Sequence, residues 1–406
     1  MRPQISFTPS TRLVYAFRFL FLLVLLIGTS AVFAQQSFTP LPARVTKTKP
    51  GLVRLALEIP YSRQPDHPNA KASLVFDAQF AYLATPDGLY RTALPLTSQS
   101  TFSLVGFQNR NIFNLYTSGG SLFVLKESVA NPNGTATDHS FLRSDDHGAT
   151  FVPLDNGLQE CLSGSCEFLA PTEAIFKNGL IFINAGAGQN LFVTANNGAG
   201  WTPLLGSFHR MIGDYQTFEL IDNRVVVGGD SLDSGYIKLG TLRPDYLGWD
   251  EPPASSAAPD LENRSALVIK AKPDTTDIYA AVAGGLLKST DGGQNFRYVV
   301  GYSMYGSVCP FIKDIIFPSH APNVVVVAGR DPENPFLAYS KDNGETWLDI
   351  SAKVRSMVSD PGSGTSASSI DFLSEDANGQ IFAGVVYGPT HILKILKLEF
   401  NSAAYR

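Results

Sequence analysis

The chain has 406 residues, 44% of them hydrophobic and 17% charged, a balance that excludes intrinsic disorder and leaves room for two ordinary domains or one large repeat-built one. A formal net charge of −5 without any basic run excludes an electrostatic footprint for nucleic acid or for an anionic membrane surface. With 35 glycines, 26 prolines, 27 phenylalanines and no long segment of helical period, the chain is expected to be all-β, built from many short strands joined by turns.

The first predicted element is a leader. Arg2, Arg12 and Arg18 precede the apolar run "FLFLLVLLIG" from Phe19, and Val32 and Ala34 stand where a signal peptidase reads small residues. The uninterrupted run is shorter than the ~20 residues that a membrane-spanning helix needs. Residues 1–34 are therefore expected to be a cleaved secretory signal, leaving an exported protein without a transmembrane segment. Its destination is the periplasm, the cell surface or the medium. Cleavage removes three arginines and no acid, which shifts the formal charge from −5 to −8.

After a lead-in over residues 35–50, "LVRLALEI" (Leu52 to Ile59) reads as a strand. Next comes "GLYRT", ending at Thr92, and then "SDDHGATF" (Ser144 to Phe151), the first copy of a motif. The motif returns as "TANNGAGW" (Thr194 to Trp201), "STDGGQNF" (Ser289 to Phe296) and "SKDNGETW" (Ser340 to Trp347). Its pattern is Ser/Thr, any, Asp/Asn, any, Gly, any, Thr/Gly/Asn, aromatic. Successive copies start 50, 95 and 51 residues apart. Halving the long gap points to "GYIKLGTLRPDYLGW", a degenerate copy that lacks the acidic turn. One step back reaches Thr92, and one step forward reaches "HILKI", ending at Ile395. Seven units result, spanning residues 51–400, before a tail over residues 401–406.

Each unit joins an apolar run, such as "DIYAAVAG" or "NVVVVAG", through a loop to a second strand, such as "GLLKS" or "FLAYS", that leads into the motif. Short strands repeating at this period are the mark of a β-propeller, here of seven four-stranded blades, because no blade buries its faces alone. Pairing of Leu52–Ile59 with the last blade would close the ring and remove exposed sheet edges.

Within the motif, the hydroxyl of Ser144, Thr194, Ser289 or Ser340 and the side-chain oxygen of Asp146, Asn196, Asp291 or Asp342 are suited to bond the turn's own amides. Gly148, Gly198, Gly293 and Gly344 supply left-handed backbone, and Phe151, Trp201, Phe296 and Trp347 fill the gap between blades. The role expected of them is structural. Calcium loops gather more carboxylates at alternate positions, so no metal is expected. No cofactor is implied either.

These residues resemble the Asp-box, or BNR-repeat, propellers, a superfamily that includes sialidases and many non-enzymatic exported proteins. The resemblance covers roughly residues 73–400. It implies that the motif forms the hairpin between the third and fourth strands of a blade, on the rim away from the functional face.

Three cysteines lie beyond the leader. In an oxidising compartment Cys161 and Cys166 of "CLSGSC" are candidates for a disulfide, which would leave Cys309 unpaired.

Strand alternation places the loops between second and third strands, and the blade-to-blade connections, on the face opposite the motif turns. The first set comprises residues 126–139, 230–234 and 330–335. The second comprises the Cys161 loop, residues 206–216, 250–260 ("DEPPASSAAPD", read as a long surface connection), 301–307 and 351–368. Arg210, Tyr215, Tyr302, Tyr305, Arg330 and Arg355 are the ligand-binding candidates there, with Asp214, His139 and His209 on the same set of loops. Such a face suits a protein or glycan ligand, and hence a binding or scaffold role at the cell envelope or outside the cell.

The alternative is a glycoside hydrolase, which usually needs two carboxyl groups flanking the bond. Asp230 or Asp233 in unit four, opposite Asp331 or Glu333 in unit six, are the weak candidates for that pair. Sialidases proper place an arginine in a Phe/Tyr-Arg-Ile-Pro segment; here "LEIP" puts Glu58 at that position, so no sialidase role is carried onto this chain. "AGAGQN" (Ala185 to Asn190) sits between strands and is no phosphate cradle. No nucleophile elbow in a strand-to-helix context and no His-Glu-x-x-His helix is present.

Overall fold

The computed structural model describes residues 52–60, 72–127, 139–162, 165–168, 171–185, 190–204, 215–231, 234–255, 266–301, 310–331, 334–358, 368–387 and 392–399. Seven antiparallel sheets of four strands follow one another along the chain, each with strands a to d in hydrogen-bonded order. Blade 1 is Ser73–Phe76, Phe80–Thr85, Gly88–Ala93 and Ser103–Gly106; blade 2 is Ile112–Ser118, Ser121–Lys126, Phe141–Ser144 and Val152–Pro153. Blade 3 is Pro171–Lys177, Leu180–Ala185, Asn190–Thr194 and Thr202–Pro203; blade 4 is Tyr215–Ile221, Arg224–Ser231, Ser234–Leu242 and Trp249–Ser255. Blade 5 is Ala266–Ala271, Ile278–Val282, Gly285–Ser289 and Arg297–Val300; blade 6 is Phe311–Ile316, Val325–Asp331, Asn334–Ser340 and Leu348–Asp349.

Blade 7 takes strands a to c from Ser368–Glu375, Ile381–Tyr387 and Ile392–Glu399. Its strand d comes from the other end of the chain, Leu52–Pro60, in register from Leu52 opposite Glu399 to Pro60 opposite Ile392. This pairing closes the ring and leaves strand c of blade 7 without a free edge.

Strands b and c are buried on both faces, so they read as continuous apolar runs, as in Ile278–Val282 and Gly285–Ser289. Their side chains form seven apolar clusters, one at each junction between neighbouring blades. At the junction of blades 5 and 6, Tyr279 and Leu286 meet Val325 and Phe336. At that of blades 7 and 1, Phe372, Phe382 and Leu393 meet Leu74, Phe76 and Leu83. Clusters of the same kind join the other five pairs. Seven junctions for seven blades is the signature of a closed propeller, since an open fan would have one fewer.

Two readings of the sequence are corrected. Residues 250–255 of "DEPPASSAAPD" are not a surface connection but part of strand d of blade 4, with Trp249 opposite Leu242 and Ser255 opposite Lys238. Pro252 and Pro253 are tolerated there because the outermost strand donates to one neighbour only. Residues 351–358 are not a loop but helix α1 (Ser351–Val358), whose buried Ser351, Val354 and Val358 share one face. Eight residues show barely two turns of that period, too few to stand out in the sequence.

The connection between blades 2 and 3 also carries an added hairpin, Gln159–Leu162 with Ser165–Phe168, which pairs with no other sheet among the described residues.

Candidate functional site

The a–b and c–d turns lie on one face of the ring, and the b–c hairpins and blade connections on the other. All four motif copies form c–d turns, between the third and fourth strands of blades 2, 3, 5 and 6. Their bonding repeats. The Oγ of Ser144 donates to Asp146 Oδ1 at 2.8 Å and accepts the Gly148 amide at 2.7 Å, while Asp146 Oδ1 accepts the Thr150 amide at 2.8 Å. Ser289 with Asp291, Gly293 and Asn295, and Ser340 with Asp342, Gly344 and Thr346, repeat the set. In blade 3 Thr194, Asn196, Gly198 and Gly200 do the same with an amide oxygen in place of the carboxylate. Two consecutive residues are left-handed in each turn: His147, Asn197, Gly292 or Asn343, followed by Gly148, Gly198, Gly293 or Gly344.

The motif carboxylates are therefore committed to their own turns. Hydrogen bonds from the Thr150 hydroxyl, the Thr150 amide and Ser144 hold Asp146 down at about 2. Phe151, Trp201, Phe296 and Trp347 pack at the junction with the preceding blade. The first left-handed residue turns its carbonyl towards that blade, where a cation meets it in three of the four turns. Arg91 bonds the carbonyl of His147, Arg224 that of Gly292 at 3.3 Å, and Lys288 that of Asn343 at 2.7 Å.

The inner strands carry a second set of cross-blade bonds. In blades 2 to 7 the a–b register slips by one residue at the same place, for example between Pro171 and Glu173 and between Ile312 and Asp314. Such a bulge re-aims the side chains beside it. Glu173 accepts the Phe218 amide of blade 4 at 3.1 Å, Glu219 the Ala271 amide of blade 5 at 3.1 Å, and Asp314 the Leu373 amide of blade 7 at 2.7 Å. Lys313 donates to Asp371 at 2.8 Å. Burial works against the charge of Lys270, but Glu219, Glu173 and Asp314 around it hold its pKa above the ordinary lysine value. No sequence motif marks these residues, because they become partners only when the ring closes.

On the loop face the ligand and catalytic candidates separate. Asp233, Glu333, Arg210, Tyr302 and Tyr305 lie outside the described residues, as do Asp214, His209 and Cys309. For Asp230 and Tyr215 only the backbone is described, in strands b and a of blade 4, opposite Gly235 and Gly229. His139 is engaged structurally: its Nδ1 lies 2.6 Å from Oδ1 of buried Asp155, whose other oxygen accepts the Ser140 and Phe141 amides.

Asp331, Arg330 and Arg355 come from one neighbourhood, blade 6 and the helix that follows it. Asp331 ends strand b, and Arg330 lays its guanidinium over the Phe311 ring at 5.0 Å. Burial and the nearby Asp349 carboxylate push the Asp331 acid up, and Arg355 of helix α1 opposes them. The Oδ1 of Asp331 is buried with no hydrogen-bond partner among the described residues. Asp349 was not marked by sequence reasoning, since it lies just past a motif whose role is structural. It caps helix α1 by accepting the Ser351 amide at 2.8 Å.

No protein-family model matches the chain, and no curated protein matches it. Solved propellers do. The chain is similar to a structure described as YCF48 bound to D1 peptide, at 16% identity and a TM-score of 0.56, covering 90% of this chain and 100% of that one. It is similar to the WD40 β-propeller domain of Doa1, at 12% identity and a TM-score of 0.53, covering 87% and 99%. A third similarity is to the extracellular domain of a proposed hybrid two-component system, BT4673 from B. thetaiotaomicron, at 11% identity and a TM-score of 0.52, covering 84% and 39%. At these identities the likeness establishes the class, a seven-bladed β-propeller.

Proposed function

We propose that this is an exported propeller of the Asp-box type that binds a protein or glycan partner through its loop face, as a scaffold at the cell envelope or outside the cell. The observation that carries the reading is Asp331, whose buried Oδ1 has no donor among the described residues: such an oxygen costs on the order of 1–3 kcal/mol, a cost that a donor supplied by a ligand would remove. A similar fold has been solved with a peptide bound, which favours a peptide over a glycan. The apolar leader motivates export.

The test uses purified residues 35–406 against displayed peptide libraries and a glycan array. Asp331→Asn should weaken binding of any selected ligand at least tenfold, while Asp146→Asn, on the opposite rim, should leave it unchanged. Equal binding by all three proteins would remove the loop face from the reading.

A second reading keeps one observation in its favour. Burial and the nearby Asp349 carboxylate raise the Asp331 acid, and a raised acid near a second carboxylate is what glycoside hydrolysis uses. Incubation with a broad glycan panel, followed by mass spectrometry, decides it: a cleaved product abolished by Asp331→Asn would replace the binding role with a hydrolytic one.

A further inference from the structure

We propose that Cys161 and Cys166 are joined by a cross-strand disulfide that ties the two strands of the added hairpin to each other. The hairpin runs from Gln159–Leu162 to Ser165–Phe168, with Gln159 opposite Phe168, Glu160 opposite Glu167, Cys161 opposite Cys166 and Leu162 opposite Ser165. A spacing of five residues in sequence permits many loop geometries. The register selects one, in which the two cysteines are direct partners.

Leu162 and Ser165 flank a two-residue connection, and in an antiparallel pair hydrogen-bonded and non-hydrogen-bonded positions alternate. The pair next to a two-residue turn is the hydrogen-bonded one, so the cysteines occupy a non-hydrogen-bonded position. At such positions Cα atoms typically stand about 4.5 Å apart, inside the range that a disulfide spans.

The hairpin has reason to need a staple. Among the described residues it is a two-stranded sheet, and such a unit is marginal in water. Glu160 directly opposes Glu167, and like charges at facing positions work against pairing. A covalent link one register position away would hold such a pair together. The hairpin lies in the connection from blade 2 to blade 3, on the face proposed to bind a partner, so the link would fix a contact element there before binding.

The chemistry is thiol–disulfide exchange with an oxidised dithiol or glutathione disulfide. The Cys161 or Cys166 thiolate attacks one sulfur of the oxidant and releases its other half as a thiol. The second cysteine then attacks the mixed disulfide and releases the remaining half. Two protein thiols are oxidised, one disulfide of the oxidant is reduced, and two reduced thiols leave.

The test equilibrates the purified protein with glutathione disulfide, quenches it with acid, alkylates it under denaturing conditions and maps the tryptic peptides by mass. Cys161 and Cys166 fall on one peptide, between Arg143 and Lys177. That peptide should carry no label and no glutathione, have the mass of its dithiol form less two hydrogens, and gain two labels after reduction. Reduction, or the double change Cys161→Ser with Cys166→Ser, should raise the rate of protease cleavage within residues 159–168 at least tenfold without changing cleavage of the blades. Two labels on the folded, glutathione-disulfide-treated protein, or a bond from either cysteine to Cys309, would overturn the proposal. None of these readouts depends on a ligand or on export, so the result stands apart from the binding reading.

Discussion

Tyr279, in strand b of blade 5, donates its hydroxyl proton to the backbone carbonyl of Asn343 in the rim turn of blade 6, at 2.7 Å across 64 residues of sequence. The same carbonyl accepts from Lys288 Nζ at 2.7 Å, and that ammonium also meets Asp277 at 3.4 Å and Glu345 at 3.2 Å. Asn343 can present its carbonyl this way because it is left-handed, with φ of 61°. One backbone oxygen thus anchors the seam between two blades.

Removing the two donors should have unequal effects. Tyr279→Phe deletes one hydrogen bond and leaves Lys288 in place, so a loss of about 1 kcal/mol is expected. Lys288→Met leaves Asp277 facing an apolar side chain and should cost about 3 kcal/mol, in the range seen when one member of a buried pair is removed. Denaturant melts of the two variants check the order; equal losses would mean that the charge is solvated.

The motif glycines should not be equivalent. A Cβ on Gly198 would stand 2.3 Å from the Leu154 carbonyl oxygen, a backbone atom that cannot rotate away, whereas one on Gly148 would meet Val105 Cγ1 at 2.8 Å. Both are left-handed and share a penalty of about 1 kcal/mol for alanine. Gly198→Ala is expected to be the more destabilising by a further ~2 kcal/mol. Paired thermal melts of the two variants decide this.

Acid should weaken the rim. Asp77 is pushed up by burial, but hydrogen bonds from Tyr82, the Gln79 amide, His147 and the Phe80 amide outweigh that and hold it low; Asp291 and Asp342 are also low. Groups whose folded pKa lies below the unfolded one contribute stability that is present above the unfolded value and lost as pH falls through the folded one. For Asp146 that window runs from 3.8 down to about 2. The melting temperature should therefore fall through this window, and Asp146→Asn should flatten the fall.

Asp331 should behave in the opposite sense. Its acid is raised, so its own contribution to stability is fully present below the ordinary aspartate value and is lost as pH rises through the folded one. Asp331→Asn should raise stability at pH 8 by about 1 kcal/mol and change it little at pH 3. Thermal melts at the two pH values are the check, and a loss at pH 8 would mean that the carboxylate is satisfied.

Closure depends on the ends of the chain meeting. Deleting residues 1–60 removes strand d of blade 7 and exposes the Ile392–Glu399 edge. The truncated protein is expected to be soluble but cut by trypsin far faster than the full chain. Unchanged protease resistance and melting would show that the seventh blade does not need the strand.

Much of the fold was legible because its determinants are local. Ser340, Asp342, Gly344 and Trp347 specify a turn within eight residues, and the spacing of such turns counts the blades, including a degenerate copy around Arg243 to Trp249. Where local signals conflict, reading failed: Pro252 and Pro253 argued against a strand that an outer edge in fact tolerates, and Ser351 to Val358 is too short for its period to register.

Sequence alone determined the repeat and the rim turns, since each rests on backbone conformations and apolar periods that neighbouring residues impose. Only the tertiary structure decided which charges meet. Glu173, Glu219 and Asp314 bond amides of other blades, Lys288 closes on a carbonyl 55 residues away, and Asp331 gathers Asp349 and Arg355 beside a buried oxygen with no donor among the described residues. Those pairings depend on bulges in the inner strands and on the rotation of one blade against the next. Hydrogen bonding and burial act through space, over distances that sequence separation does not encode.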